Sequence, residues 1–310
     1  MFIINSIAPI FLLIALGKIL ERTGFLPEAF FKSLNRFVYW LALPAMLISK
    51  ISSATLELDT IYKIVSLFTL GTLLSLLLAW SVSRFLKLPA PSTGSFIQGS
   101  FRGNGAFVGL PVIVYTLADM FPQAETLGTV VLAPVVVFFN VLSVAVLLHY
   151  GTEKRSAGSS ALTFLGQMIK NPLLMSCVIG IALNLLGINL PVFLNRSLEA
   201  LGRSSLPLIL MSIGAGLEFQ RLKGAASPSL IASVIKVIIT PAIGFMLAGY
   251  FGLGTAEKMI AIFYLACPTA GMSYIMADVM GNDATLAGRI VALSTLLSAL
   301  TLPIIIAIGL

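Results

Sequence analysis

Ten stretches of the chain are apolar on every side rather than along one stripe: residues 2–20, 33–51, 62–83, 93–118, 126–148, 163–187, 195–217, 228–251, 257–279 and 286–309. A surface helix of a soluble protein would alternate between an apolar stripe and a polar face, and a half-buried strand would alternate every second residue. Neither pattern organises these segments. Each is close to the roughly 20 residues that a helix needs to cross the hydrocarbon core of a bilayer. In hydrocarbon, a helix satisfies its own backbone N–H and C=O groups, which open strands and loops do not. The pattern predicts an all-α membrane protein with ten transmembrane helices. Its longest clearly polar interval, Tyr150 to Ser160, falls near the middle of the chain. The predicted organisation is a first block 1–149, a short cytoplasmic linker 150–162 and a second block 163–310.

The two blocks echo each other. Pro9 and Gly17 recur as Pro172 and Gly180, both 163 residues later. Leu43-Pro44 with Ser49 recurs as Leu206-Pro207 with Ser212 at the same shift of 163. Leu26-Pro27 matches Leu190-Pro191 at 164, and Leu34-Asn35-Arg36 matches Leu194-Asn195-Arg196 at 160. Similar shifts kept in order predict an internal repeat. Five helices per copy is an odd number, so the second copy is expected to lie inverted in the membrane. Inverted repeats are the architecture of alternating-access transporters.

Two further breaks in the pattern carry the candidate chemistry. The fourth stretch contains Gly99, Arg102, Gly103, Asn104, Gly105, Gly109 and Pro111, an unusual density of helix-weakening and polar residues at membrane depth. Each glycine costs about 1 kcal/mol relative to alanine in a helix, so an interruption near 102–105 is expected. The ninth stretch holds Pro268, Thr269, Ala270 and Ser273. With Leu88 aligned to Leu253, Asn104 stands opposite Thr269 and Gly103 opposite Pro268. Helices broken at corresponding points of two repeats mark the binding site of a transporter. Half-helix N-termini meeting there would offer N–H groups and positive dipole ends to a carboxylate. The glycines at GxxxG spacing fit helix packing as well as function. Arg102 fits either a substrate counter-ion or a side chain that snorkels, and Lys236 is expected to snorkel toward the cytoplasm. Glu199 and Arg203 are read as a structural i,i+4 pair.

Composition narrows the class. Of 310 residues, 58% are hydrophobic and 10% are charged, far from the charged coat of a soluble domain. The formal charge of +7 has no dense basic patch behind it, which excludes a nucleic-acid partner and leaves the bilayer. Twelve basic residues flank the connections after helices 1, 3, 5, 7 and 9, against five on the other side. The excess predicts a cell (inner) membrane protein with those connections in the cytoplasm and both termini outside. The first stretch lacks a basic leader and is read as a retained helix. Cys177 and Cys267 both lie inside apolar stretches, which argues against a disulfide. A single histidine, His149, and no His-Glu-x-x-His argue against a metal, a cofactor or an intramembrane enzyme. Asp59, Asp119, Asp278 and Asp283 all sit near segment ends, which argues against cation antiport. A passive channel or a sensor derived from a transporter remains the alternative to a carrier.

The order of motifs resembles the auxin efflux carrier family over essentially the whole chain. The resemblance rests on Asn104 followed seven residues later by Pro111, on Ala266-Cys267-Pro268-Thr269-Ala270, on the Leu-Pro patterns of helices 2 and 7, and on the run Leu293 to Pro303. It implies a fold related to the sodium–proton antiporter and bile-acid transporter architecture. Helices 1, 2, 6 and 7 would form a scaffold, and helices 3–5 and 8–10 a transport domain working as an elevator, with helices 4 and 9 crossing at its centre. It further implies efflux of small organic anions, with malate or malonate preferred over auxin, and a carboxylate bound by Asn104 and the crossing backbone. Homodimers are common in the family. Gly103 departs from the proline that plant members carry there, and their long central loop is absent.

Overall fold

The structure is a computed structural model, and it describes residues 2–55, 57–152, 171–216 and 227–310. Of the predicted linker, residues 153–162 lie outside the described ones, as do 163–170 at the start of the sixth apolar stretch and 217 at the end of the seventh. Among the described residues the chain is helical, with no strand. Among those residues, four helices are long and apolar enough to cross a membrane by length and composition: Leu58–Phe85, Ala124–Tyr150, Ser227–Ala248 and Ala284–Gly309.

In chain order the helices are α1 (Phe2–Arg22), α2 (Glu28–Phe37), α3 (Leu43–Ser52), α4 (Leu58–Phe85), α5 (Ala90–Phe101), α6 (Leu110–Leu117) and α7 (Ala124–Tyr150). After the central interval come α8 (Pro172–Leu185), α9 (Val192–Arg203), α10 (Ser205–Ala215), α11 (Ser227–Val234), α12 (Thr240–Ala248), α13 (Thr255–Ala266), α14 (Met272–Val279) and α15 (Ala284–Gly309). Wider π-helical turns join α2 to α3 (Val38–Ala42) and α11 to α12 (Ile235–Ile239) and lead into α6 (Gly105–Gly109). Pro44 and Pro241 follow two of these turns. A proline lacks an N–H and crowds the preceding turn, and a π-turn accommodates the shifted hydrogen-bond ladder. Local chemistry also starts helices: Asn171 accepts from the N–H groups of Leu173 and Leu174, and Asp283 accepts from Leu286.

The second apolar stretch begins earlier than its hydropathy suggests. The helix opens at Glu28, whose carboxylate pairs with Lys32 at 2.9 Å, and this polar first turn hides it from an apolar scan. The seventh stretch is two helices, α9 and α10, separated at Ser204.

The chain forms two compact units, and each draws on both sequence blocks. The first comprises Met1–Ile61, Leu110–Ala133 and Leu162–Leu217. Here α1 packs on α10 and α3 on α8 and α9. The contacts are backbone-close: a Cβ on Gly17 would lie 1.9 Å from the Met211 carbonyl oxygen, and one on Gly214 would lie 1.8 Å from that of Ile14. Small residues let helices approach in this way where lipid supplies no hydrophobic drive. Lys50 pairs with Glu125 at 3.0 Å, and Ser49 donates to Asn195 at 2.8 Å. Glu199 and Arg203 form the expected i,i+4 pair at 2.8 Å.

The second unit comprises Tyr62–Gly109, Pro134–Ala161 and Glu218–Leu310. Its centre is α13, where the residues from Met259 through Ala266, and Cys267 just after them, have no exposed surface. The helix α5 is buried likewise from Thr93 to Phe101, although it carries Thr93, Ser95, Gln98 and Ser100. Phe68 stacks edge-on against Phe139 with ring centres 5.0 Å apart, and the Ser75 and Thr240 hydroxyls meet at 2.6 Å.

Candidate functional site

Both predicted interruptions exist, and they lie against each other in the second unit. The helix α5 stops because Arg102 turns extended, with φ −74° and ψ 105°. The helix α13 stops at Cys267, with φ −59° and ψ 144°. The residue before a proline is pushed out of the helical region, so Pro268 sets that break. Between the helix ends, Gly103 and Thr269 form an isolated antiparallel bridge. The Asn104 N–H donates to the Pro268 carbonyl at 2.8 Å, and the Ala270 N–H donates to the Arg102 carbonyl at 3.2 Å. Thus each break supplies backbone partners that the other has lost.

Side chains finish the accounting at the carbonyl ends of both half-helices. On α5, the Thr269 hydroxyl donates to the Gly99 carbonyl at 2.7 Å and the Ser75 hydroxyl to that of Ser100 at 3.2 Å. On α13, the Cys267 thiol donates to the Tyr264 carbonyl at 3.1 Å and the Lys236 ammonium to that of Leu265. The Thr269 N–H is held by the Ser294 hydroxyl at 3.0 Å. A helix end buried without such partners would be costly.

The remaining predicted residues divide. Asn104 is half-buried, and its side-chain amide makes no hydrogen bond to any described residue. Its carbonyl accepts from Val108 at 2.9 Å and Gly109 at 3.0 Å, which starts the next helix at Gly105. Arg102 is 7% exposed; its guanidinium donates to Asn140 Oδ1 at 2.9 Å and contacts Met276 Sδ. Gly103 admits no larger residue: a Cβ there would lie 2.6 Å from Cys267 Sγ. Ser273 is buried with no hydrogen-bond partner for its hydroxyl among the described residues. Pro111 is buried in α6, which belongs to the first unit. Cys177 and Cys267 are both free thiols, one in each unit.

Lys236 corrects an expectation. It does not snorkel: none of its surface is exposed. The sequence marked it as a charge inside an apolar stretch, but only the packing of its π-turn decided that it points inward. Asn140 was missed altogether, although a lone amide in the run Val135 to Leu148 was a legible signal. A separate cavity of about 190 Å³ in the first unit is lined by Ser49, Lys50, Tyr115, Glu125, Glu199 and Arg203 among others, but its charged groups already pair with each other.

Helices of this length and apolarity define a multi-pass membrane protein. The model of a family described as membrane transport proteins matches residues 2–306. The chain belongs to this family, that of the auxin efflux carriers. It is 26% identical over 301 residues to an uncharacterized transporter of Methanocaldococcus jannaschii, covering 94% of each chain. An uncharacterized transporter of Methanothermobacter thermautotrophicus is 23% identical over 302 residues, covering 97% of this chain and 96% of the relative. A candidate malonate transporter of Rhizobium meliloti is 24% identical over 311 residues, covering 96% and 93%.

Proposed function

We propose that this membrane transport protein is a secondary transporter that exports small organic anions by alternating access, and that it holds the substrate carboxylate at the paired helix breaks. The observation that carries the reading is Asn104: a half-buried amide with no partner among the described residues, set between two interrupted backbones that satisfy each other. An amide held open at membrane depth is a costly feature unless a ligand uses it. The helix that starts at Gly105 also aims its N-terminal end at this point, where negative charge is favoured. The residues around the breaks carry cations rather than carboxylates, and the Rhizobium meliloti relative's name points to a dicarboxylate.

The inverted ten-helix repeat is part of the same proposal, and one packing detail supports it. Gly17 meets Met211 of the second sequence block, while Gly180, its counterpart 163 residues on, meets Ile51 and Leu47 of the first. Equivalent glycines thus serve equivalent contacts with the two blocks exchanged. Of the two compact units, one holds α1–α3 and α8–α10, the helices proposed as scaffold, together with α6 and the start of α7, and the other holds α5 and α11–α15 of the proposed transport domain.

The test is uptake of radiolabelled malonate, malate and indole-acetate into proteoliposomes. Saturable flux with counter-transport identifies a carrier, and Asn104→Ala is expected to abolish it while the protein stays folded. Linear, non-saturable flux would identify a channel. No flux of any of the three under voltage, proton or sodium gradients would overturn the organic-anion reading.

A further inference from the structure

Lys236 is a charged side chain beside the breaks that carboxylate binding as described does not use. It lies in the π-turn Ile235–Ile239, wholly buried, with its ammonium on the Leu265 carbonyl at the C-terminal end of α13. Its Cε is 3.3 Å from where a Cβ of Gly103 would stand, so the stem runs beneath the first break, one residue from Asn104. A buried ammonium calls for a negative partner. Among the described residues Lys236 forms no ion pair. The helices packed on its turn are α5, α11, α12, α13 and α15. Within them the only carboxylate is Glu257, in the first turn of α13. Glu257 precedes Leu265 by eight residues, about 12 Å along the helix axis. Asp283, just before α15, is engaged in capping that helix and in accepting from Ser92. Beside the Lys236 stem, the other atoms that a Cβ on Gly103 would meet are the Cys267 sulfur and the Tyr264 carbonyl oxygen, neither of them a carboxylate.

We propose that Lys236 is a tethered cation: it supplies, from within the protein, the positive charge that lets an organic anion bind at the paired breaks with no inorganic cation bound beside it. This rests on the reading of the breaks as a carboxylate site. In transporters with unwound helices, backbone carbonyls and half-helix C-terminal ends coordinate the coupled cation. Here the carbonyl end of α13 already holds an ammonium that cannot leave. With the anion bound, its charge is balanced across the Gly103 backbone. With the anion gone, the site keeps its positive charge and draws in the next one. The interaction works through a low-dielectric interior, where one unit charge matters far more than in water.

The experiment measures equilibrium binding of radiolabelled malonate, malate and indole-acetate to purified full-length protein in nanodiscs. Each is run in N-methylglucamine buffer and again with added sodium or potassium. Wild type is compared with Asn104→Ala, Lys236→Met and Lys236→Arg, with gel filtration and thermal melting as folding controls. The tethered cation predicts that wild type binds equally well in all buffers. It predicts that Lys236→Met, which keeps the stem and drops the charge, weakens binding about tenfold or more, as expected for loss of a buried charge partner. Lys236→Arg keeps the charge and should retain affinity within about fivefold. Wild-type binding that appears only with sodium or potassium overturns the tethered cation and leaves the organic-anion site standing. A folded Lys236→Met that melts lower but binds as wild type also overturns it, because a helix cap alone would do that. No binding of any of the three anions overturns the organic-anion reading and this inference with it. Should Lys236→Met not fold, cation-dependent binding in wild type or in Lys236→Arg still decides against the proposal.

Discussion

At the scale of single residues, the neighbourhood of Asn104 is governed by what each polar group lacks. Thr269 spends its hydroxyl on the Gly99 carbonyl and its N–H on Ser294, so it holds the breaks together rather than facing a ligand. Thr269→Val is expected to cost about 1 kcal/mol of stability, the usual worth of such a bond, read as a lower melting temperature in detergent. Arg102 sits farther along, its guanidinium on Asn140 and Met276. Removing its charge by Arg102→Gln should lower uptake of malonate more than uptake of indole-acetate, because only the dicarboxylate has a second charge to place. Equal losses for both would assign Arg102 to structure. Arg102, Gly103, Asn104, Pro268 and Thr269 were all legible, since glycine, proline and polar side chains stand out in apolar segments. The direction of Lys236 was not. A charge one turn deeper or one face round reads the same in sequence, and the neighbouring helices choose its orientation.

At the scale of elements, proline and glycine act where two backbones meet. Pro268 ends α13 through the conformation it imposes on Cys267, a rule that reads straight from sequence. The pairing of that break with the one at Gly103 does not, because it needs two segments more than 160 residues apart in the chain to adjoin. The same holds for the helix contacts of the first unit. Gly214→Leu should destabilise by about 3 kcal/mol or more, the upper range for overpacking, since even a Cβ would lie 1.8 Å from the Ile14 carbonyl oxygen. Gly249→Ala is the control. Nothing stands within 4 Å of a Cβ there, and φ is −60°, so the melting temperature should not fall.

At the scale of the whole molecule, the charge bias of the connections predicts sidedness. Single cysteines introduced into the Cys177→Ser, Cys267→Ser background at Thr152 and at Gly254 should label from opposite faces in inside-out and right-side-out vesicles. Labelling of both from one face would contradict the proposed count of spans between them. The predicted linker 150–162, whose residues from 153 on lie outside the described ones, belongs to the same test through Thr152.

By itself the sequence determined that the chain resides in a membrane, where its helices run, and where two of them break. These are local properties: each segment's apolar length is weighed against hydrocarbon, and each proline or glycine acts on its own turn. The tertiary structure alone decided that the breaks pair, that α5 and α13 are buried along the halves that lead into them, that Pro111 belongs to the other unit, and that Lys236 is buried with no ion pair among the described residues. Those are properties of pairs of segments. They follow from which helix faces pack and which backbone groups remain to be satisfied, and no single stretch of sequence carries that information.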